Sequence, residues 1–384
     1  MRNSLRQFVG MLAIPALIFL CATALRSQKP AGPLKPTAPI PAPTGMPGAA
    51  ERHLGQTSFE VSRMLEVTLG NRSAGRITVT GWDRDVISAR AVSQRGEEVV
   101  IMDRRVDGPE QKVFLKADYA DMESSERAAR AMDLPPLGDD GPIQIHLEVS
   151  LPRKAVIQLI RVMRSDVSVT NVETPLTIVG EKSSIILKHV GAVEVHTRSG
   201  NVEIQEASGL VEVTTATGAI RVSQANGGVR AVSIAGPIEV KCARGRVDVT
   251  NTNAPIDLYN IDGDVDAIAS NSRVLLSSKL QDNGRYYLKS MSGRVEMILD
   301  RNTSGFNANL TSYRGTLESD FPLKTNQNRG NREHNSTGER GLNQRLNGQF
   351  GKGGAQIMLD SFEGLVRLTR ATGALPVMDC KEVR

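Results

Sequence analysis

The chain has few of the residues from which enzyme sites and small-molecule pockets are usually built. Aromatic residues make up 4% of its 384 positions, tryptophan occurs once and histidine five times. No Gly-x-Ser-x-Gly elbow, Walker loop or dinucleotide fingerprint stands out. The core must therefore consist mainly of Val, Ile, Leu and Ala, and this composition favours β-strands over aromatic-rich sites.

Cysteine is also scarce, with three residues in the whole chain. Cys21 lies in an apolar N-terminal run, which leaves Cys242 and Cys380, and two thiols do not define a disulfide framework. Cys242 continues the alternation of Ile238 and Val240, so we expect it to be a small buried hydrophobe. Cys380 lies in the C-terminal tail, where we expect a free thiol.

The N-terminus has the pattern of an export signal. Two arginines precede an apolar run over residues 8–20, and small residues follow it up to Ala24. This pattern predicts a signal peptide over residues 1–24, removed by cleavage after Ala24. An uncleaved N-terminal anchor is the alternative, because the apolar stretch approaches the minimum of roughly 17 residues that span a bilayer.

Two further segments precede the main repeats. Seven prolines between Pro30 and Pro47 predict a Pro-rich disordered linker over residues 25–56. From residue 57 to 160, apolar and polar residues alternate in short runs bounded by turn residues, which predicts a strand-rich N-terminal cap. Helix formers and charges over about residues 119–133 predict a helical insertion within that cap.

Residues 161–323 repeat with a period of nine. An apolar-x-apolar triplet begins two residues after each repeat position, from Val193 and Val195 to Val265 and Ala267. The period of a strand places both apolar residues on one face, and glycine supplies the turn. The repeat glycines, interrupted by Ala254, are Gly191, Gly200, Gly209, Gly218, Gly227, Gly236, Gly245 and Gly263.

Two nine-residue half-repeats make a coil of about 18 residues, which must stack on its neighbours to bury its apolar face. The sequence therefore predicts an all-β chain forming a right-handed parallel β-helix, a β-solenoid with a strand-rich N-terminal cap. A hexapeptide helix does not fit a period of nine, and the calcium-binding nonapeptide roll lacks its signature.

An 18-residue coil also predicts which outward residues are neighbours on adjacent coils. Each arginine in these columns falls between two acids, as cross-strand pairing favours, whereas other neighbours carry like charges. One column comprises Glu203, Arg221, Glu239 and Asp257, and the other comprises Glu194, Glu212, Arg230, Asp248 and Asp266.

The repeats are interrupted near their C-terminal end. Residues 324–353 are rich in Asn, Gly, Gln and Arg, which predicts a disordered basic loop, followed by terminal solenoid strands over 354–370 and a tail over 371–384. The loop is either a solvated insertion or a partner-binding element for anionic envelope polymers or lipid headgroups. Its candidate binding residues are Lys324, Arg329, Arg332, Arg340, Arg345 and Lys352.

Several of these segments together resemble a known family. The motifs are "GRITVTGWD", "LEVSLPRKAVIQL", "SGNVEIQEASGLVEV" and the ending "YRGTLESDFPL" with "GKGGAQIMLDSFEGLVRL". Between about Phe59 and Leu368 the chain resembles the bacterial putative-adhesin β-solenoid family, a widespread exported domain of unknown function related to autotransporter adhesin head domains. The resemblance implies an exported, envelope-associated parallel β-helix without an established enzymatic activity, and it supplies no catalytic residues.

Metal and cofactor chemistry find little support in the sequence. The histidines, at positions 53, 146, 189, 196 and 334, have no metal-ligand spacing, and Asp262, Asp264 and Asp266 do not match a calcium-binding EF-hand loop. We therefore expect no metal, no cofactor and no catalytic residue.

The sequence favours a non-enzymatic structural or adhesin-like module. We expect it in the periplasm or at the cell surface, with an unidentified envelope component or surface polymer as partner. Nucleic acid is excluded as a partner for an exported chain, and membrane contact is expected only through an uncleaved N-terminal segment. The rival hypothesis is a β-helical polysaccharide-processing enzyme, a lyase or hydrolase.

Overall fold

The computed structural model describes residues 50–61, 64–71, 73–107, 110–120, 137–138, 141–324 and 344–373, together with Leu375 and Cys380. The predicted signal peptide, the predicted linker up to residue 49 and the predicted helical insertion from residue 121 lie outside these residues. The described part contains 32 β-strands and no helix. Consequently, within these ranges no helical segment is available to cross a membrane.

The strands are numbered in chain order. Those preceding the regular repeats are β1 (Glu51–Leu54), β2 (Gln56–Glu60), β3 (Met64–Asn71), β4 (Arg76–Trp82), β5 (Val86–Ser93), β6 (Gly96–Glu97), β7 (Val99–Asp107), β8 (Glu110–Asp118), β9 (Leu137–Gly138), β10 (Gly141–Pro142) and β11 (His146–Pro152). Those of the regular repeats are β12 (Val156–Val162), β13 (Asp166–Val172), β14 (Leu176–Lys182), β15 (Ile185–Val190), β16 (Val193–Ser199), β17 (Val202–Ala207), β18 (Val211–Thr217), β19 (Ile220–Ala225), β20 (Val229–Ser233), β21 (Ile238–Ala243), β22 (Val247–Asn251), β23 (Ile256–Tyr259), β24 (Val265–Ala269), β25 (Val274–Ser278), β26 (Arg285–Ser290) and β27 (Val295–Leu299). Those at the C-terminal end are β28 (Gly305–Ser312), β29 (Leu317–Ser319), β30 (Gln344–Gly351), β31 (Ala355–Ser361) and β32 (Val366–Arg370).

Successive strands of the repeats alternate between two long sheets. Sheet A has the order β1-β7-β8-β3-β12-β14-β16-β18-β20-β22-β24-β26-β31-β28-β30. Sheet B has the order β2-β5-β11-β4-β13-β15-β17-β19-β21-β23-β25-β27-β32-β29, with β6 paired to β5. Within the repeats every neighbouring pair is parallel, for example β16 with β18 and β17 with β19. Each coil is thus one strand of sheet A followed by one strand of sheet B, which confirms the predicted β-solenoid.

The 18-residue period is confirmed by the strand register. Val193 pairs with Val211, Val211 with Val229 and Val247 with Val265. All the apolar triplet positions from Val193 to Ala267 are at most 3% exposed and belong to one hydrophobic core between the sheets. The period lengthens to 21 residues where Val265 pairs with Tyr286, because six residues separate β25 from β26.

A left-handed backbone conformation marks the corner at which most strands of sheet B end. The residues with positive φ follow one another along the stack and are Asn171, His189, Glu206, Gln224, Cys242 and Asn260. In the L-configuration this conformation costs roughly 1–2 kcal/mol per residue. It interrupts the alternation, so the following residue, such as Ala207, Ala225 or Ala243, points into the core.

The predictions that Cys242 is a buried hydrophobe and that Cys380 is a free thiol are both wrong. Cys242 does not continue the inward alternation: its φ is 55°, and Ala243 is buried in its place. Cys242 forms a disulfide with Cys380, with the two Cα atoms 5.5 Å apart and a sequence separation of 138 residues. The pairing was hidden because only the folded chain places Cys380 beside Cys242.

At the opposite corner, a buried polar side chain caps the turn between sheets A and B. The Ser233 Oγ accepts a hydrogen bond from the Gly236 N–H at 3.0 Å, and the Ser290 Oγ accepts one from the Gly293 N–H at 2.9 Å. Asn251 does the same for the Ala254 N–H at 3.0 Å. Each of these side chains accepts a hydrogen bond from a backbone N–H in the turn. Without that bond the N–H would be buried and unpaired, which costs free energy.

The repeat glycines at this corner permit adjacent coils to stack closely. A Cβ on Gly218 would lie 2.2 Å from the carbonyl oxygen of Gly200, and one on Gly236 would lie 1.7 Å from that of Gly218. The φ of Gly218 is +115°, which side-chain-bearing residues rarely adopt. Glycine is therefore required here by contact between coils as well as by the turn.

The coil stack begins earlier than the predicted boundary at residue 161. Strands β3 and β4 form a coil that pairs in parallel with β12 and β13. Their inward residues, including Leu69 and Ile77, join the common core. Beyond them β11, β8 and the antiparallel strands β1, β2, β5 and β7 complete the strand-rich cap. Because β1 spans Glu51–Leu54, the predicted disordered linker does not extend to residue 56.

The C-terminal coils do not stack in chain order. The coil of β31 and β32 lies between that of β26 and β27 and that of β28 and β29. Strand β30 then adds antiparallel to β28 at the end of sheet A. The last part of the predicted disordered loop is therefore a strand, and the prediction is wrong for residues 344–351.

Aromatic packing explains why this stretch is ordered. The ring of Phe350 lies 5.3 Å from that of Phe306 and 5.0 Å from that of Phe321. Leu346 also packs against the core. These two apolar residues in a polar stretch gave too weak a pattern to predict a strand. Residues 325–343 of the predicted loop lie outside the described part of the chain.

Candidate functional surface

The outward side chains of both sheets form the columns that the period predicted. In sheet B, Glu203, Arg221, Glu239 and Asp257 occupy successive paired positions. In sheet A the corresponding column is Glu194, Glu212, Arg230, Asp248 and Asp266. The surface is therefore a pair of long faces on which position, and hence charge, is set by the register.

On sheet B, cations beside the column separate the like-charged Glu239 and Asp257. Lys241 pairs with Glu239, and Arg221 reaches the same carboxylate at 3.9 Å. Arg273 binds Asp257 with two hydrogen bonds, 3.1 Å from Nε and 2.8 Å from the guanidinium nitrogen Nη2. The hydrogen bond to Asp257 raises the pKa of Arg273, so this guanidinium stays charged.

On sheet A, Arg230 pairs with Glu212 at 3.0 Å. Asp248 and Asp266 share one cation, because Arg246 lies 3.7 Å from each carboxylate. Burial, and then the negative charge of Asp248, raise the pKa of Asp266, with Arg246 opposing the shift. The Oδ1 of Asp266 is buried and has no hydrogen-bond partner, which agrees with an unfavourable environment for the ionised form.

Three histidines, including His189 and His196, and two turn carboxylates form local pairs. His189 lies 2.6 Å from Glu206, and His196 lies 2.9 Å from Glu194. Asp262 bonds with the Gln281 side chain, and the Asp264 carboxylate accepts a hydrogen bond from the backbone N–H at position 285 at 2.9 Å. Over the described ranges, no group of three or more His, Cys, Asp or Glu is arranged to hold a metal ion.

The three described cations of the predicted basic loop do not form one patch. Lys324 is exposed and its backbone bonds with Gln349 in both directions, at 2.9 and 3.1 Å. Arg345 and Lys352 flank opposite ends of β30, about 23 Å apart along a strand. Of the other predicted binding residues, Arg329, Arg332 and Arg340 lie outside the described residues.

Surface clefts interrupt the exterior at two places within the described strands and their turns, among others. The larger, of about 230 Å³, lies at the lengthened coil and is lined by residues 279–282, 300 and 302–305. The smaller, of about 180 Å³, is lined by residues 175–177, 192–194, 210 and 212. Both are smaller than the roughly 300–1,000 Å³ of typical small-molecule sites. The long faces are therefore stronger candidates for function than these two clefts.

Sequence reasoning missed a carboxamide-rich region at the C-terminal end of sheet A. Strands β28, β30 and β31 are neighbours there and present outward amide side chains. We call this region the carboxamide face, and it comprises Asn307, Asn309, Asn347, Gln349 and Gln356. In the sequence, this face is visible only as Asn or Gln at alternate positions of three separate segments. The pattern does not predict a common surface, because the segments become adjacent only in the folded chain.

These features define a two-sheet parallel β-solenoid whose long faces carry ordered polar and charged columns. The chain belongs to the Toastrack DUF4097 family, whose model matches residues 146–346. No functionally curated protein matches the sequence significantly.

Three solved structures show distant likeness to the chain. A structure described as a putative cell adhesion protein from Clostridium sporogenes ATCC 15579 is 8% identical, covering 83% of this chain and 100% of its own, with a TM-score of 0.19. A putative lipid binding protein from Parabacteroides distasonis ATCC 8503 is 9% identical, covering 85% and 98%, with a TM-score of 0.30. A putative adhesin from Bacteroides fragilis NCTC 9343 is 10% identical, covering 83% and 97%, with a TM-score of 0.26. Because all three TM-scores are below 0.5, these likenesses assign no function to this chain.

Proposed function

We propose that the chain is a non-enzymatic, exported, adhesin-like module of the cell envelope that presents a rigid repeat surface to an envelope component or surface polymer. The observation that carries this proposal is the pair of continuous sheets whose outward side chains recur in fixed columns. Solenoids of this kind provide extended surfaces on which a partner meets the same geometry in successive repeats.

The rigidity of the surface follows from the way each coil is held. Its two strands hydrogen-bond to the coils on either side, and its inward residues share one core. The corners are fixed by buried caps such as Ser233 and Asn251. A surface ordered before binding loses little conformational entropy when it captures a partner, which favours affinity for an extended polymer.

The disulfide between Cys242 and Cys380 supports export. Disulfides persist in oxidising compartments such as the periplasm and the cell surface, and they are rare in the reducing cytosol. This agrees with the export signal expected over residues 1–24. The proposed location is therefore the periplasm or cell surface, with retention through an uncleaved N-terminal segment as the alternative.

A non-enzymatic role is supported by where the titratable groups lie. His53, His189 and His196 each contact one carboxylate, as in His189 with Glu206. Five carboxylates of the columns are paired with Arg or Lys, namely Glu212, Glu239, Asp248, Asp257 and Asp266. The other two, Glu194 and Glu203, contact His196 and Gln205. Glycoside hydrolysis instead requires two carboxylates on either side of a bound sugar.

Fractionation of cells producing the full chain tests the proposal. We expect the protein in the exported, envelope-associated fraction, with Cys242 and Cys380 protected from thiol alkylation until a reductant is added. A cytosolic protein with both thiols free would refute export. Incubating the purified protein with envelope polysaccharide tests the rival function, because new reducing ends or unsaturated products would identify an enzyme.

A further inference from the structure

The carboxamide face differs chemically from the rest of the outer surface of sheet A. Over β16–β24 one outward column is made of charged residues and ends at Asp266. The other outward column contains no carboxamide and comprises His196, Thr214, Val232, Thr250 and Ile268. Beyond β26, neutral amides predominate among the outward positions of β28, β30 and β31. The change coincides with the reordering of the C-terminal coils, which brings these strands together.

The amides form a small lattice with defined spacing. Asn307 pairs with Gln349 on one side and Gln356 on the other, and Asn309 pairs with Asn347. Neighbouring strands lie about 4.8 Å apart, and successive outward residues of one strand lie about 6.6 Å apart. Backbone hydrogen bonds on both sides of β28 hold this lattice in place before a ligand arrives.

Most of the hydrogen-bonding capacity of the face is directed to the exterior. A carboxamide supplies two donors and a carbonyl oxygen with two lone pairs. Among the described residues, three hydrogen bonds involve these side chains. Gln356 donates to the Gly354 carbonyl at 3.0 Å, Gln349 to the Gly351 carbonyl at 3.4 Å, and Asn309 accepts from Thr311 at 3.4 Å.

An apolar pair adjoins the amides in the same row. Met358 lies beside Asn309 on one side and Tyr287 on the other. Met358 is 43% exposed, and Tyr287 is half-buried. Burial, followed by the charges of Asp360 and Asp266, raises the pKa of Tyr287 to about 12, so its hydroxyl keeps its proton. The row therefore offers apolar contact beside donors and acceptors.

We propose that the carboxamide face, with Tyr287 and Met358, binds a neutral polysaccharide. Sugar hydroxyls both donate and accept hydrogen bonds, and their ring faces are apolar, so they match amides that do both beside an apolar pair. The lattice extends over three strands, which suits a chain of sugars rather than one. This inference rests on the proposed function and names the class of its partner.

Charge favours a neutral polymer over an anionic one. The amides carry no charge, and the bordering row contains both signs. In that row Asp360 lies beside Lys289 on one side and Thr311 on the other, and Arg345 follows Thr311. An anionic polymer crossing this row would meet the carboxylate of Asp360, and a cationic one would meet Lys289 and Arg345.

Affinity electrophoresis of the full chain tests the inference, using native gels that contain hydroxyethyl cellulose, laminarin, dextran or glycol chitin. We expect at least one polymer to retard the wild type. The triple variant Asn309→Ala, Asn347→Ala and Gln356→Ala should bind that polymer at least tenfold more weakly. The matched control replaces Thr214 and Thr250, outward residues of the same sheet on β18 and β22, by Ala and should bind as the wild type does.

A second variant guards against loss of folding. Asn347→Asp keeps the side-chain size at an exposed position and replaces the amide donors by a negative charge, so it should weaken binding with an unchanged melting curve. No retardation by any of the four polymers, or equal retardation of wild type and triple variant, would overturn the inference. If the envelope retains the protein while these polymers do not, the inference fails and the proposed function stands. If the protein bound one of these polymers but was found in the cytosol, the inference would stand and the proposed exported function would fail.

Discussion

Breaking the Cys242–Cys380 disulfide should destabilise the C-terminal coils selectively. The perturbation is Cys380→Ser, which removes the cross-link without changing a core residue, since Cys380 is exposed. The bond closes a loop with a sequence separation of 138 residues, and the chain-entropy relation gives about 5 kcal/mol at 25 °C for a loop of this length. The loop contains every coil from β22 to β32, whereas β12–β20 lie outside it.

Amide hydrogen exchange resolved by coil is the appropriate assay, because solenoid repeats need not unfold as one unit. We expect protection of β24–β32 to fall in Cys380→Ser while that of β14–β18 changes little. Cys242→Ser should give the same pattern, and the double variant should lose no more than either single variant. A reductant should reproduce the effect in the wild type and leave the double variant unchanged.

Two results would refute this reasoning. Equal loss of protection on both sides of Cys242 would show that the bond supports the whole stack rather than its C-terminal loop. Unchanged protection in all coils would show that the cross-link contributes nothing measurable to the native state.

Three further predictions test the register, the corrected C-terminal strand and the electrostatics of sheet A. Val211→Asp should prevent cooperative folding, because it buries an unpaired charge. Glu212→Lys on the outer face should change stability by less than about 1 kcal/mol. Similar thermal melts of the two variants would contradict the assignment of Val211 to the inner face and Glu212 to the outer face. Phe350→Ala should lower the free energy of unfolding, measured by chemical denaturation, by roughly 1–3 kcal/mol, which is less than for a buried ring because this ring is half-buried. Asn347→Ala on the same strand is the control, and equal effects of the two substitutions would mean that β30 contributes no core packing. The raised pKa of Asp266 means that the folded state holds this proton more tightly than the unfolded state, so stability falls as pH rises through the ordinary aspartate pKa toward the raised one. Asp266→Asn should therefore raise the melting temperature at pH 7 and lose this advantage below pH about 4; a pH-independent difference would exclude titration as the cause.

The periodic part of the fold could be predicted from the sequence because each repeat carries its own information. Alternation assigned the inward faces of the triplets from Val193 to Ala267, and the period of 18 paired Glu212 with Arg230 and Arg221 with Glu239. Both rules depend on local strand geometry and on identical coils stacking in register. Handedness remains a prediction, as does the character of the segments outside the described residues.

The corners were harder to predict because they break the alternation. A left-handed residue such as Cys242 changes which neighbour enters the core, and nothing in its side chain announces that conformation. The buried caps Ser233, Asn251 and Ser290 had a usable signal, since each stands three residues before a repeat position, but small polar residues are common in turns.

Periodicity and alternation are enough to predict the coil, its core and the charge columns, because these follow from interactions that recur every 18 residues. The folded chain alone reveals that β31 and β32 insert between other coils, that β30 pairs with β28, and that Cys242 and Cys380 form a disulfide. The carboxamide face depends on the same rearrangement. Each of these features joins segments that are not related by the repeat period. Their contacts depend on which strand edges and which apolar surfaces the last coils leave uncovered. Such long-range choices depend on the energy of the assembled stack, which no local pattern encodes.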